Sequence, residues 1–239
     1  MADERLDAYR NKRDFDRTAE PAGGAEAAPE RDEESAARYS FQHHDASSEH
    51  WDLRLEHDGV LLSWAVTKGP STDPRDKRLA IRTEDHPVDY LDFEGTIPQQ
   101  EYGGGSVVVW DLGTWENLTE DGGEPVPVDE ALDQGHLSFR LDGEKLTGAW
   151  TLQRFRDEDQ WLLIKQRGEG ADARRKPTST EPESVVSGRT VAEVAEQAGP
   201  GRASPGPDDL VATASWVGTF RPPRSSLRIA GRLRRTGRW

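Results

Sequence analysis

The sequence predicts an all-β protein, an antiparallel barrel or sandwich, and three observations carry that prediction. Between residues 39 and 168 the apolar positions recur with period two rather than 3.6. The runs are short and end in Gly and Asp turn signals, with hardly a helical pattern between them. Six of the eight tryptophans fall in this same segment, which marks it as the core.

Taken in order, Trp51 to Glu56 alternates apolar and polar, His57-Asp58-Gly59 supplies a turn, and Val60 to Val66 runs back, which reads as a hairpin. Leu79 to Arg82 is strand-like, and Pro87 ends ladder pairing just after His86. Ser106 to Asp111 and Thr114 to Asn117 read as a second hairpin, broken at Leu112-Gly113. Gly103-Gly104-Gly105 before it signals a tight turn or a close backbone approach. It lacks the Gly-x-Gly-x-x-Gly spacing of a nucleotide fold. His136 to Leu141, Leu146 to Phe155 and Gln160 to Arg167, joined at Asp142-Gly143 and at 157–159, read as a three-stranded meander.

The flanks differ in composition. Residues 1–38 hold 11 acids and 7 bases and contain PAGGAEAAPERDEESAA, a stretch without apolar periodicity that reads as a mobile connector. Residues 169–239 are expected to be a low-complexity linker with a basic tail, supplying little core, with one weak helical stretch around Val185 to Ala198. The tail, Thr219 to Trp239, has seven Arg and no acid. It reads as a solvated tail or as a basic arm that finds phosphates. The chain carries a formal net charge of −14. With no cysteine, disulfides, thiolate zinc sites and thiol nucleophiles are excluded. No apolar run reaches membrane-spanning length and no signal-peptide core opens the chain, so the expectation is a cytoplasmic protein without a membrane segment.

Five of the six histidines lie between residues 43 and 86. If the strand Trp51 to Glu56 extends back to His50, then His50, Asp52 and Arg54 share one face, about 6.5 to 7 Å apart in successive pairs. Trp51, Leu53 and Leu55 take the other. A row of imidazole, carboxylate and guanidinium is unusual for a solvated strand face. His50 and Asp52, with His44 across a loop, can form a two-His, one-carboxylate set for Mn, Fe, Zn, Co or Ni. Arg54 suits a bidentate hold on phosphate. The same residues can equally be a solvated hairpin face. His43 reads as a bystander, His57 and His136 as structural, and His86 and Tyr90 as able to reach a common site from a loop. His50-x-Asp52 with a remote His86 or His136 also fits an Fe(II)/2-oxoglutarate oxygenase-like β-barrel, and a non-catalytic module that binds nucleic-acid ends stands as a third reading.

Five motifs occur together and in order: His44-x5-His50-x-Asp52-x-Arg54, Trp64-Ala-Val-x-Lys68-Gly-Pro, Glu84-Asp-His86-Pro-x-x-Tyr90, Phe93-Glu-Gly-x-Ile-Pro98 and Glu101-Tyr-Gly-x-Gly105. With them the chain resembles, from about Leu6 to Arg167, the 3′-phosphoesterase domain found at the N-terminus of bacterial DNA ligase D and as freestanding bacterial and archaeal proteins. The resemblance implies a compact curved antiparallel β-barrel over residues 39–168, with flexible extensions at both ends. It implies a Mn2+-dependent enzyme, with Co2+ or Zn2+ as other candidate metals, that removes 3′-phosphates and 3′-terminal ribonucleosides from DNA or RNA primer ends in non-homologous end joining. Carried over by position, His44, His50 and Asp52 hold the metal, and Arg54, His86 and Tyr90 contact the scissile phosphate. His86 would stabilise the phosphate or protonate the leaving group, and Tyr90 would orient the phosphate by its hydroxyl. Arg13, Asp14, Glu20, Gln42, Lys68, Arg78 and Glu84 support them. The implied partners are primer-template 3′ ends and a separate DNA ligase, polymerase or Ku-type end-binding protein; a monomer is the expected state. The sequence departs from the family in having His43 where Lys is common. It also lacks a Lys-x-Asp-Gly adenylation motif.

Overall fold

The computed structural model describes residues 2–24 and 36–198. Eight strands close into an antiparallel barrel: β1 (Ala37–Asp45), β2 (His50–His57), β3 (Val60–Val66), β4 (Arg78–Arg82), β5 (Gly105–Asn117), β6 (His136–Gly143), β7 (Thr147–Arg154) and β8 (Gln160–Lys165). The order around the wall is β1-β2-β3-β4-β8-β7-β6-β5, and β5 pairs back with β1 to close it. The β2–β3 turn has positive φ at both central residues, 48° at Asp58 and 77° at Gly59. That twist suits a two-residue hairpin.

All eight strands send apolar side chains into one buried cluster, among them Phe41, Leu53, Trp64, Ala80, Trp110, Phe139, Trp150 and Leu163. A cluster fed from every strand of a closed wall fills its interior. Side chains alternate across a strand, so Ser40, Gln42 and His44 on β1, and His50, Asp52 and Arg54 on β2, stand on the outer face. Register fixes the pairing: His44 lies opposite His50, Gln42 opposite Asp52, Ser40 opposite Arg54.

Two expectations need correction. Ser106 to Asn117 is one strand without a hairpin at Leu112-Gly113. There Gly113 serves close packing, because a Cβ on it would sit 2.2 Å from the Asp142 carbonyl oxygen. Residues 169–198 also do more than link. Thr72 donates to the Asp172 carbonyl at 2.7 Å, and Trp110 Nε1 donates to the Glu181 carbonyl at 2.7 Å. Val185 N–H bonds the Val109 carbonyl, and the helix Val191–Ala198 buries Val191 and Val194 with Val108. Most of the proposed connector, residues 25–35, and the basic stretch Thr219 to Trp239 lie outside the described residues. Among the described residues no helix is long and apolar enough to cross a membrane.

The arm, residues 2–24, folds back on itself and onto the outer face. Tyr9 donates from its hydroxyl to the Pro21 carbonyl at 2.7 Å, and Arg10 donates to the Gly23 carbonyl. Arg5 pairs with Asp85 at 2.8 Å, tying the arm to the loop that carries His86. A second apolar cluster, Tyr9, Leu61, Tyr90 and Leu91, seals the junction between arm, wall and loop.

Candidate active site

The outer face of β1, β2 and β3 carries a polar cluster that the arm and the 84–93 loop cover. His44 Nδ1 lies 3.6 Å from one Asp52 oxygen, and His50 Nε2 lies 3.5 Å from the other. One ligand atom from each of these three residues lies within 4.8 Å of the others. His50 Nδ1 sits 2.8 Å from the Ser48 carbonyl oxygen, which fixes its proton there and leaves Nε2 to face Asp52. His44 Nε2 is buried without a hydrogen-bond partner. An orphaned imidazole nitrogen beside a second imidazole and a carboxylate is the donor set a divalent transition metal takes, so the residues fit such an ion. Burial works against the charged ring of His50, but Asp52 outweighs it and holds its pKa above the ordinary value. Burial likewise pushes Asp52 up, but Arg54 and the two histidines hold its carboxyl well below the usual carboxylate range.

Arg54 is buried against the wall with each nitrogen bonded: Nε to Gln42 Oε1 at 2.5 Å, Nη1 to Ser63 Oγ at 3.0 Å and Nη2 to Asp52 at 3.2 Å. Its guanidinium lies 4.5 Å from the centre of the Tyr90 ring. Gln42 spends its amide N–H groups on the carbonyls of Tyr90 and Phe93, so it also clamps the loop to the wall.

From the other side comes Arg13. Its Nε bonds Glu20 at 2.8 Å, its Nη1 bonds Glu84 at 3.0 Å, and its Nη2 lies 3.3 Å from His86 Nε2. Glu20 also accepts from the Tyr90 hydroxyl at 3.0 Å and from Thr18. Lys12 bonds the second oxygen of Glu84. His86 is buried, with Nδ1 2.8 Å from the Glu84 carbonyl oxygen. Desolvation first, then the charges of Arg54 and Arg13, lower its pKa well below 6.5. The ring is therefore neutral near pH 7, donating from Nδ1 and accepting from Arg13 at Nε2.

The structure thus joins ten of the thirteen sequence-chosen residues: His44, His50, Asp52, Arg54, Gln42, His86, Tyr90, Arg13, Glu20 and Glu84. Asp14 and Lys68 are exposed, and Arg78 pairs with Asp76 at 2.9 Å. In this arrangement the Tyr90 hydroxyl donates to Glu20, and His86 Nε2 faces Arg13. His43 faces away, stacked on Trp51 at 4.2 Å and bonded to Glu49. His136 bonds Gln153 and Ser138 on a different part of the wall, and His57 sits in the β2–β3 hairpin beside Asp58 and Asp129. The histidine grouped with His50 and Asp52 is His44, not the remote His86 or His136 that an oxygenase triad requires.

Sequence reasoning missed Ser63 and Tyr9. Ser63 interrupts the apolar run Val60 to Val66 directly opposite Arg54, a signal available once the hairpin register is drawn. Tyr9 lies under the Arg13 guanidinium at 3.8 Å and meets the His86 ring at a tilt, centres 4.9 Å apart, and nothing periodic in its surroundings announces it.

Known proteins share this segment. Residues 42–154 match the family model described as the DNA Ligase D 3′-phosphoesterase domain. The chain is similar to the multifunctional non-homologous end joining protein LigD of Pseudomonas aeruginosa, 49% identical over 191 residues, which are 78% of this chain and 22% of that protein. The protein of the same name from Mycolicibacterium smegmatis is 38% identical over 165 residues, 69% of this chain and 21% of that one. The one from Mycobacterium bovis is 39% identical over 166 residues, 70% and 20%. The match covers about a fifth of the length of each of these curated relatives.

Proposed function

Because the chain belongs, through residues 42–154, to the DNA ligase D 3′-phosphoesterase domain family, we propose that it hydrolyses phosphoesters at the 3′ ends of DNA or RNA strands. It would remove 3′-phosphates and 3′-terminal ribonucleosides ahead of end joining. The observation that carries the reading is the grouping of His44, His50 and Asp52 beside a buried, fully oriented Arg54. Mn2+, or Co2+ or Zn2+ in its place, held by those three residues would neutralise negative charge on the phosphate.

The chain's own residues supply the rest. Arg54 has five N–H donors, and Gln42, Ser63 and Asp52 take three. Two remain for non-bridging phosphate oxygens in a frame that needs no reorganisation. Arg13 adds a second fixed cation across His86, so an entering phosphate meets positive charge from wall and arm alike. Neutral His86 positions Arg13 through Nε2, and Tyr90 supports Arg54 with its ring while its hydroxyl holds Glu20. Glu20 and Glu84 orient Arg13 as a pair of carboxylates. The partners in this reading are primer-template 3′ ends together with a DNA ligase, polymerase or Ku-type protein.

The deciding experiment incubates a 5′-labelled primer bearing a 3′-phosphate with the protein and Mn2+. Conversion to the 3′-hydroxyl species, abolished by EDTA, is expected. End binding without phosphate release would overturn the enzymatic reading and leave an end-binding module.

A further inference from the structure

Tyr102 is a large aromatic side chain left 48% exposed in the segment between Ile97 and β5. Its surroundings are not those of an incidental surface ring. The Lys12 ammonium lies 4.8 Å from its centroid and the Arg13 guanidinium 5.4 Å, and Lys12 also reaches its hydroxyl at 3.4 Å. Arg13 is the same residue that touches His86. On the other side, a Cβ on the adjacent Gly103 would lie 3.8 Å from the His44 ring. The ring thus stands one side chain away from both halves of the polar cluster, at its rim.

The segment that presents it is tightly built. Glu101 N–H bonds the Pro98 carbonyl, Gly104 N–H bonds the Glu101 carbonyl, and Glu101 pairs with Arg17 of the arm at 2.9 Å. Gly104 packs so closely on the Pro98–Gln99 backbone that a Cβ would approach it to 2.7 Å. A rigid exposed aromatic ring flanked by two cations is the element single-stranded nucleic acid uses, bases on the π face and phosphates on the cations.

We propose that Tyr102 stacks on the base of one of the last two nucleotides of the strand whose 3′ end occupies the site, with Lys12 serving the backbone phosphate beside it. This deepens the phosphoesterase reading and rests on it for the position of the 3′ end. Stacking tolerates any base, so Tyr102 would confer affinity for nucleic-acid ends over small phosphomonoesters without selecting sequence.

The test uses the full chain with 3′-phosphorylated oligonucleotides carrying 2-aminopurine at the last or penultimate nucleotide, read by fluorescence quenching and by steady-state phosphate release. Tyr102→Ala should raise KM by roughly fivefold to a hundredfold, the range of a lost base–aromatic stack, with the effect on KM rather than kcat. The quench should be lost, and Tyr102→Phe and Tyr102→Trp should restore both. Replacing the stacked nucleotide by an abasic one should erase the difference between wild type and Tyr102→Ala, which a merely structural role would not do. Unchanged KM and undiminished quenching in Tyr102→Ala overturn the inference while leaving the phosphoesterase reading in place. Quenching in the wild type without phosphate release, lost in Tyr102→Ala, supports the stack and removes the phosphoesterase reading alone.

Discussion

The wall and the arm reach the same site by different means. His44, His50, Asp52 and Arg54 ride on two strands whose opposite faces, Tyr39, Phe41, Leu53 and Leu55, are locked into the core, so the backbone ladder fixes their spacing. Arg13 and Glu20 come from a segment without a ladder, and side-chain bonds to Glu84, His86 and Tyr90 hold them there. In the wall, a side chain can be removed and the frame persists. In the arm, the ion pairs are the frame. Arg54, Gln42 and Tyr90 join the two.

The sharpest test of that contrast is at the wall. His44→Ala, His50→Ala and Asp52→Asn should each reduce phosphate release by roughly a hundredfold or more and weaken Mn2+ binding in titration calorimetry, since losses of even the groups that orient ligands cost 10- to 100-fold. The two histidine variants should unfold close to wild type and Asp52→Asn at a lower temperature, because it also breaks the buried pair with Arg54, and full Mn2+ affinity in any of the three would remove that residue from the set. Arg54→Lys comes next, with turnover expected to fall by about tenfold to a hundredfold. An ammonium cannot keep the three fixed bonds to Gln42, Ser63 and Asp52 and still offer two N–H groups to phosphate.

Glu20→Gln should do the reverse of the wall variants. It leaves Arg13 short of a buried partner, a loss of about 3–5 kcal/mol where a buried pair is broken. The arm should be cut faster by protease and turnover should drop by roughly tenfold, while Mn2+ affinity holds. Equal loss of Mn2+ affinity would show that the two halves are one unit.

A smaller effect follows from His86. Its folded pKa is lowered by burial, Arg54 and Arg13, so below its ordinary value of 6.5 the unfolded chain binds a proton that the folded chain refuses. Stability from the neutral ring is present above that pH and lost as pH falls. His50, raised by Asp52, has the opposite sign: its contribution is present below 6.5 and lost as pH rises through its higher folded value. Comparing wild type with His86→Gln cancels the His50 contribution. The gap in Tm should narrow from pH 7.5 to 5 by up to roughly 2–5 °C per pH unit, from about 1.4 kcal/mol per unit. A constant gap would mean that the folded ring takes up its proton as readily as the unfolded one. Smallest of all, His43→Ala should keep turnover within about twofold, because its ring packs on Trp51 away from the cluster.

The wall is legible from the sequence because period two and hairpin register are local. Alternation alone sets His50, Asp52 and Arg54 on one strand face, and carrying the register across the turn brings Ser63 opposite Arg54. The arm is not legible in that way. Nothing in the spacing of Arg13 and Glu20 relates them to Tyr90, seventy residues from Glu20, and only the family resemblance singles them out. Leu112-Gly113 misleads because a glycine in a strand can signal either a turn or a close neighbour, and the neighbour, Asp142, belongs to another strand. Asp14, Lys68 and Arg78 come from resemblance alone: the first two are exposed and Arg78 pairs with Asp76.

Closure of the barrel bears on the order in which the molecule is assembled. The pairing of His44 with His50 spans one tight connection, whereas the seam that sets Gln42 against Val109 joins segments far apart in the chain. Hairpins form within microseconds, while distant pairings wait for the intervening chain to be ordered and set the overall rate. Stopped-flow folding should accordingly be governed by the β1–β5 seam. Substitutions at Val108 or Val109 should slow it, while changes at His44 or His50 leave it nearly unaltered, so that the chemistry-bearing hairpin takes shape ahead of the wall that will later hold it.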